Sequence, residues 1–303
     1  MWNMVIGILS VQDERYPPNQ RLMEAAAQSG HRARLIHTRD CLSEIESGRV
    51  TVAIDGCERP DILLPRIGAT INDYALGVVR HFELSGVPVV NGFGAILLAR
   101  NKFLSLQTLA ADGLPVPDTR LVVNLRGFQE AVKGLGGYPV VAKMPSSRQG
   151  SGVVRIDSAV TSEFVMENLQ DNSRGVLVQE YLTPEDRRDI RAFVVGGQIV
   201  GAMELTPLAG DFRSNIHLTG QGKGLTLDRD LSELAIRSAE VLGLEIAGTD
   251  IIVDKEGTPK IIEVNYSPGF RGLEQATGVD IASRIIGYAL DRIMTRKPCI
   301  SPF

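Results

Sequence analysis

Cysteine is scarce in this chain. Its 303 residues hold three, Cys41, Cys57 and Cys299, an odd number with no CxxC spacing. That argues against a disulfide framework and a cysteine-based zinc site, and a cytoplasmic, reducing setting is expected. The four histidines, His31, His37, His81 and His217, include no pair at the i, i+4 spacing of a zinc-binding helix. Long hydrophobic runs are also missing: the apolar stretches are strand-length, far below the roughly 20 residues of a membrane span, so no membrane partner is expected. The opening MWNMVIGILS has neither a basic segment nor a small-residue cleavage site and reads as a first strand rather than a signal peptide. Basic charge is not in excess. The net charge of −4 argues against direct nucleic-acid binding, although DRRDIR (186–191) is locally dense in arginine, as either a solvated turn or an anion-facing cleft. There is no Walker GxxxxGK[ST], no GxGxxG after the first strand and no recognisable Ser-His-Asp or Cys-His arrangement.

What is present has an ordinary globular composition, 44% hydrophobic and 22% charged, in a chain long enough for two or three domains. In the first part, β-like runs alternate with helical patterns. VIGIL (5–9), RARLIH (32–37), DILLPRIG (61–68) and VPVVNG (87–92) read as strands, and 20–30 and 73–86 as helices. That rhythm predicts a parallel sheet covered by helices. A helix is expected over 98–113, then a proline-marked connection over 114–122. The strands PVVAK (139–143), GVVRI (152–156) and GVLVQEYL (175–182), with a helix near 160–170, suggest a smaller α+β unit. From 189 the pattern turns antiparallel: DIRAFVV and QIVGAMEL flank Gly196-Gly197 as a hairpin. A helix over 228–243 follows. TDIIVD (249–254) and PKIIEVN (259–265) then form a second hairpin, and a last helix runs from 278 to 294. The expected fold class is therefore α/β plus α+β, with units at 1–95, 96–185 and 186–303.

The second hairpin carries the chemistry. Residues two apart on a strand share a face, so Glu263 and Asn265 do. With an even loop, Val253 pairs with Thr258 and Asp250 with Ile261. Asp250 then joins that face diagonally to Glu263, roughly 7–8 Å away. An odd loop would place it on the opposite face. Three oxygen-bearing side chains on one face suit a hard cation such as Mg²⁺, though a solvent-facing polar strand has the same pattern. Phosphate signals are individually weak. PSSRQGSGV (145–153) is a glycine-bearing strand connection whose N–H groups can meet phosphates or simply turn. Lys143 ends a strand, Lys102 opens a helix, and GDFRSN (210–215) places an arginine among small and amide residues.

Taken in order, PRIG (65–68), RNK (100–102), VVAK (140–143), QGSGV (149–153), VQEYL (178–182), DIR (189–191), GDFRSNIH (210–217), TDII (249–252) and EVNYSPG (263–269) resemble the RimK-type ATP-grasp ligases, over about residues 4–294. That family includes enzymes adding glutamate to a ribosomal-protein carboxyl terminus. The resemblance implies the ATP-grasp fold, with ATP held between the second and third units. It implies Lys102 and Lys143 on the phosphates under a closing loop of Gln149, Gly150, Ser151 and Gly152. Gln179, Glu180 and Tyr181 would lie beside adenine, with Asp189 near the nucleotide. Arg213, Ser214 and Asn215 would face the phosphates or an acyl phosphate, Arg213 and Asn215 catalytically. Asp250, Glu263 and Asn265 would hold two Mg²⁺ ions, for which Mn²⁺ can substitute.

The implied reaction activates a carboxylate as an acyl phosphate and joins it to an amine. L-Glutamate is the expected amine, another amino acid the alternative. The acceptor carboxylate is left open among a protein C-terminus, free glutamate, a coenzyme precursor and a carrier protein. Arg66, Arg191 and Arg271 are substrate candidates. A homo-oligomer is expected by analogy. Tyr266, Arg271 and Arg148 depart from the family pattern and put the acceptor in question. A nucleotide-binding module without ligase activity is the alternative from another class.

Overall fold

A computed structural model describes residues 3–56, 58–68, 71–145, 152–168, 175–206 and 222–295. The 149–151 loop, Arg148 and Arg213, Ser214 and Asn215 lie outside the described residues.

Strands β1 (Val5–Ser10), β2 (Arg32–His37) and β5 (Ile62–Pro65) form a parallel sheet in the order β2-β1-β5. Every residue of β1 is buried, which explains its unbroken apolar run: a central parallel strand has no solvent face. Helices α1 (Pro17–Gln28) and α2 (Asp73–Leu84) accompany this sheet. The expected strand at 87–92 is reduced to a single bridge, Val89 against Leu63. Between β2 and β5 lies a hairpin beyond the expected elements, β3 (Cys41–Glu46) with β4 (Arg49–Ile54). Its turn residues Ser47 and Gly48 have φ of 50° and 77°, the positive pair that a two-residue hairpin loop needs.

The helix expected over 98–113 is two helices, α3 (Phe93–Ala99) and α4 (Lys102–Ala111). Asn101 causes the break. Its backbone is extended, and its side chain accepts from the N–H groups of Phe103 and Leu104, capping a new helix. Residues 119–122, read as part of a connection, form β6 (Thr119–Val122). With β7 (Val140–Lys143), β8 (Val153–Ile156) and β9 (Val176–Glu180) it makes an antiparallel sheet ordered β6-β9-β7-β8. Helices α5 (Leu125–Gly134) and α6 (Ala159–Asn168) cover it, and Phe128, Val140, Ile156 and Val178 centre a core confined to this unit.

The third sheet is also antiparallel, in the order β12-β11-β10-β13-β14: β10 (Arg187–Val195), β11 (Gln198–Leu205), β12 (Gly222–Gly224), β13 (Ile246–Asp254) and β14 (Pro259–Asn265). Helices α7 (Arg229–Val241), α8 (Arg271–Thr277) and α9 (Ile281–Met294) pack about it. Two apolar clusters combine side chains of this part with side chains of the first sheet: Leu9, Leu63 and Ile251 share one, and Ile6, Phe193 and Ile285 the other. Among the described residues no helix is long and apolar enough to cross a membrane.

Candidate active site

The acidic hairpin reaches its geometry by a route different from the parity argument. Near the turn Val253 pairs with Pro259, not Thr258, an odd register that would send Asp250 to the wrong face. Ile262 is then an extra residue on β14, a β-bulge, and beyond it Asp250 lies directly opposite Glu263. One bulge thus restores the shared face and turns the expected diagonal into a direct cross-strand pair. Arg191 is in turn the register partner of Asp250 on β10. A row across three strands therefore reads Arg191, Asp250, Glu263.

Two carboxylates in direct opposition repel unless cations hold them. Arg191 donates Nε to Asp250 Oδ1 at 2.6 Å and Nη2 to Oδ2 at 2.7 Å, a bidentate fork. Lys102, at the first position of α4, donates Nζ to Glu263 Oε1. Asn265 Nδ2 reaches Asp250 Oδ2 at 3.3 Å. Burial pushes the Glu263 carboxyl upward, but Lys102, Lys143 and Arg191 together outweigh it and hold the group below its ordinary range. Burial likewise opposes the charge of Arg191, and Asp250 and Glu263 overcome it, so its guanidinium is raised.

The arginine-dense run 186–191 divides by strand alternation. Arg187 and Asp189 point inward, their side chains only 7% and 5% exposed and 3.1 Å apart, and Arg191 follows on the same face. Arg188 points out, 49% exposed, to Glu204. The run is therefore neither wholly solvated nor wholly inward: alternate residues take opposite faces.

The adenine-side candidates lie along β9. Gln179 is buried, accepting from Lys143 Nζ at 2.5 Å and donating to Thr119 Oγ1 at 2.9 Å. Glu180 Oε1 accepts from Lys260 Nζ at 2.6 Å and from the Asp118 N–H at 2.8 Å. Lys260 comes from β14, so this ion pair ties the central sheet to the metal-candidate hairpin; sequence reading missed it because a lysine near a hairpin turn looks solvated. Tyr181 lies under the Arg155 guanidinium, 4.7 Å from ring centre to Cζ. The Gly152 carbonyl accepts from the Met144 N–H.

Lys143 feels burial first, then the like charges of Lys102 and Arg187, and its ammonium falls from 10.5 to about 8 although Glu263 favours its charge. Lys102, Lys143, Arg187 and Arg191 thus converge with Asp189, Asp250 and Glu263. Crowded cations make a face prepared for an anion with several oxygens. Among the described residues no cluster of three or more His, Cys, Asp or Glu could hold a metal. The candidate centre is two carboxylates plus the Asn265 carboxamide. This set fits Mg²⁺ chemically: all donors are oxygen, on one face, and carboxylate oxygens keep acceptor capacity beyond the N–H groups now on them.

Of the substrate candidates, Arg191 is engaged by Asp250, Arg271 is exposed at the start of α8, and Arg66 is buried against the loop after β14. Tyr266, one of the departures from the family pattern, packs inward. It is 8% exposed, and its hydroxyl donates to the Gly68 carbonyl.

Comparison with known proteins gives this geometry its context. A RimK-like ATP-grasp domain profile matches residues 99–289, and a RimK pre-ATP-grasp domain profile matches residues 4–96. A probable alpha-L-glutamate ligase from Syntrophotalea carbinolica is 40% identical over 287 residues, covering 94% of this chain and 95% of that protein. Among solved structures, a RimK domain ATP-grasp protein from Sphaerobacter thermophilus superposes with a TM-score of 0.74 at 23% identity, covering 94% of this chain and 99% of that one. The ATP-grasp ligase PsnB, complexed with a precursor variant, Mg and ADP, gives 0.73 at 18% identity, covering 97% and 98%. The chain belongs to the RimK-type ATP-grasp ligases and is an ATP-dependent enzyme that forms amide bonds.

Proposed function

We propose that this ligase joins the amino group of L-glutamate to an acceptor carboxylate through an acyl phosphate. The observation that carries the site assignment is the row Arg191, Asp250, Glu263 with Lys102 at its end: a fixed alternation of cation and carboxylate, facing Lys143. The glutamate assignment is supported by the 40% identical relative.

In this reading Lys102 and Lys143 bind phosphate oxygens, and each exchanges its present partner, Glu263 or Gln179, for the nucleotide. Asp250, Glu263 and Asn265 hold Mg²⁺, as two ions with Mn²⁺ as a substitute. When bound, the metal would offset the charge that develops during phosphoryl transfer. Arg191 keeps Asp250 ionised and oriented. Gln179, Glu180 and Tyr181 line the adenine end, and Asp189 fixes Arg187 beside them. The loop Gln149, Gly150, Ser151, Gly152 covers the phosphates and excludes water from the acyl phosphate. Arg213, Ser214 and Asn215 complete the anion cradle, Arg213 and Asn215 acting on the acyl phosphate itself. The substrate carboxylate attacks the γ-phosphate, and the glutamate amine then attacks the activated carbonyl and releases phosphate. No protein nucleophile takes part.

The three-unit division at 95 and 185, a homo-oligomeric state and a cytoplasmic setting belong to the same reading. The acceptor is a protein C-terminus, as in ribosomal-protein modification, or a small carboxylate. The test is ADP release with Mg²⁺ across a panel of amino acids and carboxylates, paired with mass mapping of lysate proteins for glutamyl increments. ADP release that ignores L-glutamate but follows another amino acid overturns the glutamate assignment.

A further inference from the structure

Arg66 is a buried cation without a countercharge. It is 9% exposed, and no carboxylate of the described residues pairs with it. Its Nη2 donates to the Pro268 carbonyl at 2.6 Å, and its guanidinium lies 5.7 Å from the centre of the Phe270 ring. Its Nε is buried with no hydrogen-bond partner among the described residues. Burial pulls the group down to about 10, and the one neighbour found to favour its charge is the Tyr16 phenol. It nevertheless remains charged at neutral pH. The other inward arginines each face a carboxylate: Arg187 has Asp189 and Arg191 has Asp250.

Its position in the fold gives this a direction. Arg66 directly follows β5, and its N–H donates to the Leu9 carbonyl at the end of β1. In the order β2-β1-β5 the chain leaves β1 to one side and returns on the other, so the carboxyl ends of β1 and β5 flank a topological switch point, where open parallel sheets bind ligands. The next polar group there is similarly incomplete. Asn19 donates Nδ2 to Ser10 Oγ at 3.2 Å, at the last residue of β1, while its Oδ1 is buried without a partner among the described residues. The loop that Arg66 touches, Pro268 to Phe270, continues directly from Asn265 of the candidate metal hairpin.

We infer that Arg66, at the carboxyl ends of β1 and β5, is the binding subsite for a spectator carboxylate of the acidic substrate, one that is not itself phosphorylated. A guanidinium with a free N–H is a donor suited to a carboxylate, and a charge already stripped of water gains more from that anion than a solvated one does. The inference rests on the ligase reading for its substrate chemistry. It goes further by naming the residue that selects an acidic amino acid over its neutral isosteres.

The competing account is purely structural: Arg66 staples the 268–270 loop and nothing more. The two are separated by ADP release from the full chain with ATP, Mg²⁺, each acceptor carboxylate of the same panel and either L-glutamate, L-glutamine or L-isoglutamine as the amine, each amide neutralising one carboxylate. For the wild-type enzyme, the amide that removes the bound carboxylate is expected to lower kcat/KM about ten- to hundredfold, the worth of a charge-assisted hydrogen bond. In Arg66→Gln the loss falls on the KM for L-glutamate, and that amide loses its disadvantage. Arg66→Lys restores part of the discrimination. An Arg66→Gln enzyme that is slower by one common factor on all three compounds, or unchanged on all, overturns the inference. A second readout does not depend on turnover: line broadening of ¹³C-glutarate by the protein with ADP and Mg²⁺. Broadening by wild type and not by Arg66→Gln upholds the subsite even if no amino acid in the panel yields ADP, an outcome that would fell the glutamate reading alone. Equal broadening by both proteins removes the subsite.

Discussion

Arg191 grips Asp250 through two parallel N–H···O bonds, 2.6 and 2.7 Å long, between register partners on adjacent strands. The pair lies in the plane of the chemistry rather than at the surface, so each partner is costly to remove alone. With side chains 13% and 21% exposed, Asp250→Ala should destabilise the fold by about 2 kcal/mol, below the figure for a fully buried pair, because it leaves Arg191 uncompensated. Arg191→Met in the same chain should recover at least half of that loss. Urea midpoints for the two single variants and the double variant check this; simple additivity would show that the pair is not coupled.

Glu263→Gln removes a carboxylate charge while keeping its shape. ADP formation should fall by about two orders of magnitude or more, because the anion between Lys102 and the candidate metal is gone. Metal-free ADP binding, followed by calorimetry, should persist. Full turnover in folded Glu263→Gln would refute the metal assignment.

Lys143 sets a pH dependence. Its folded value of about 8 lies below the ordinary 10.5, so between those values the unfolded chain binds the proton and the folded chain does not. Stability should therefore rise as pH climbs from about 8 toward 10.5, and Lys143→Met should flatten the rise. Nucleotide binding runs the other way. Phosphates favour the charged ammonium, so binding above pH 8 takes up a proton and apparent ATP affinity declines. Calorimetry in two buffers of different ionisation enthalpy reads that uptake directly.

Gly196 opens the β10–β11 turn at φ 57°, and a Cβ there would lie 2.4 Å from Tyr288 Cε2. The ring cannot swing away freely, since its hydroxyl is bonded to Glu245 Oε2 at 2.5 Å. Gly196→Ala should cost roughly 1–3 kcal/mol in stability, where Gly197→Ala, with open space around it, costs less. Paired denaturant curves of the two variants make the comparison.

Short-range signals were legible wherever a residue type acts through its own neighbours. Gly196-Gly197 announced its hairpin, the unbroken VIGILS run a buried parallel strand, and Glu263 and Asn265 a shared face. The Asn101 cap is masked in the sequence by the apolar residues that continue on both sides of it. The Ser47-Gly48 hairpin leaves a weak signal because its two strands are largely exposed and carry mixed polar residues, which blurs the alternation.

By itself the sequence determined which residues of one strand share a face, the glycine turn of the first hairpin and the inventory of oxygen donors and cations, since all of these depend on backbone sterics and side-chain chemistry within a few residues. Tertiary structure alone decided which charges meet. The bulge at Ile262 moved Asp250 opposite Glu263, α4 carried Lys102 across 161 positions to close the row, and burial left Arg66 without a countercharge. Register, long-range approach and loss of water are properties of the assembled chain, and the magnitude of every electrostatic effect at this site depends on them.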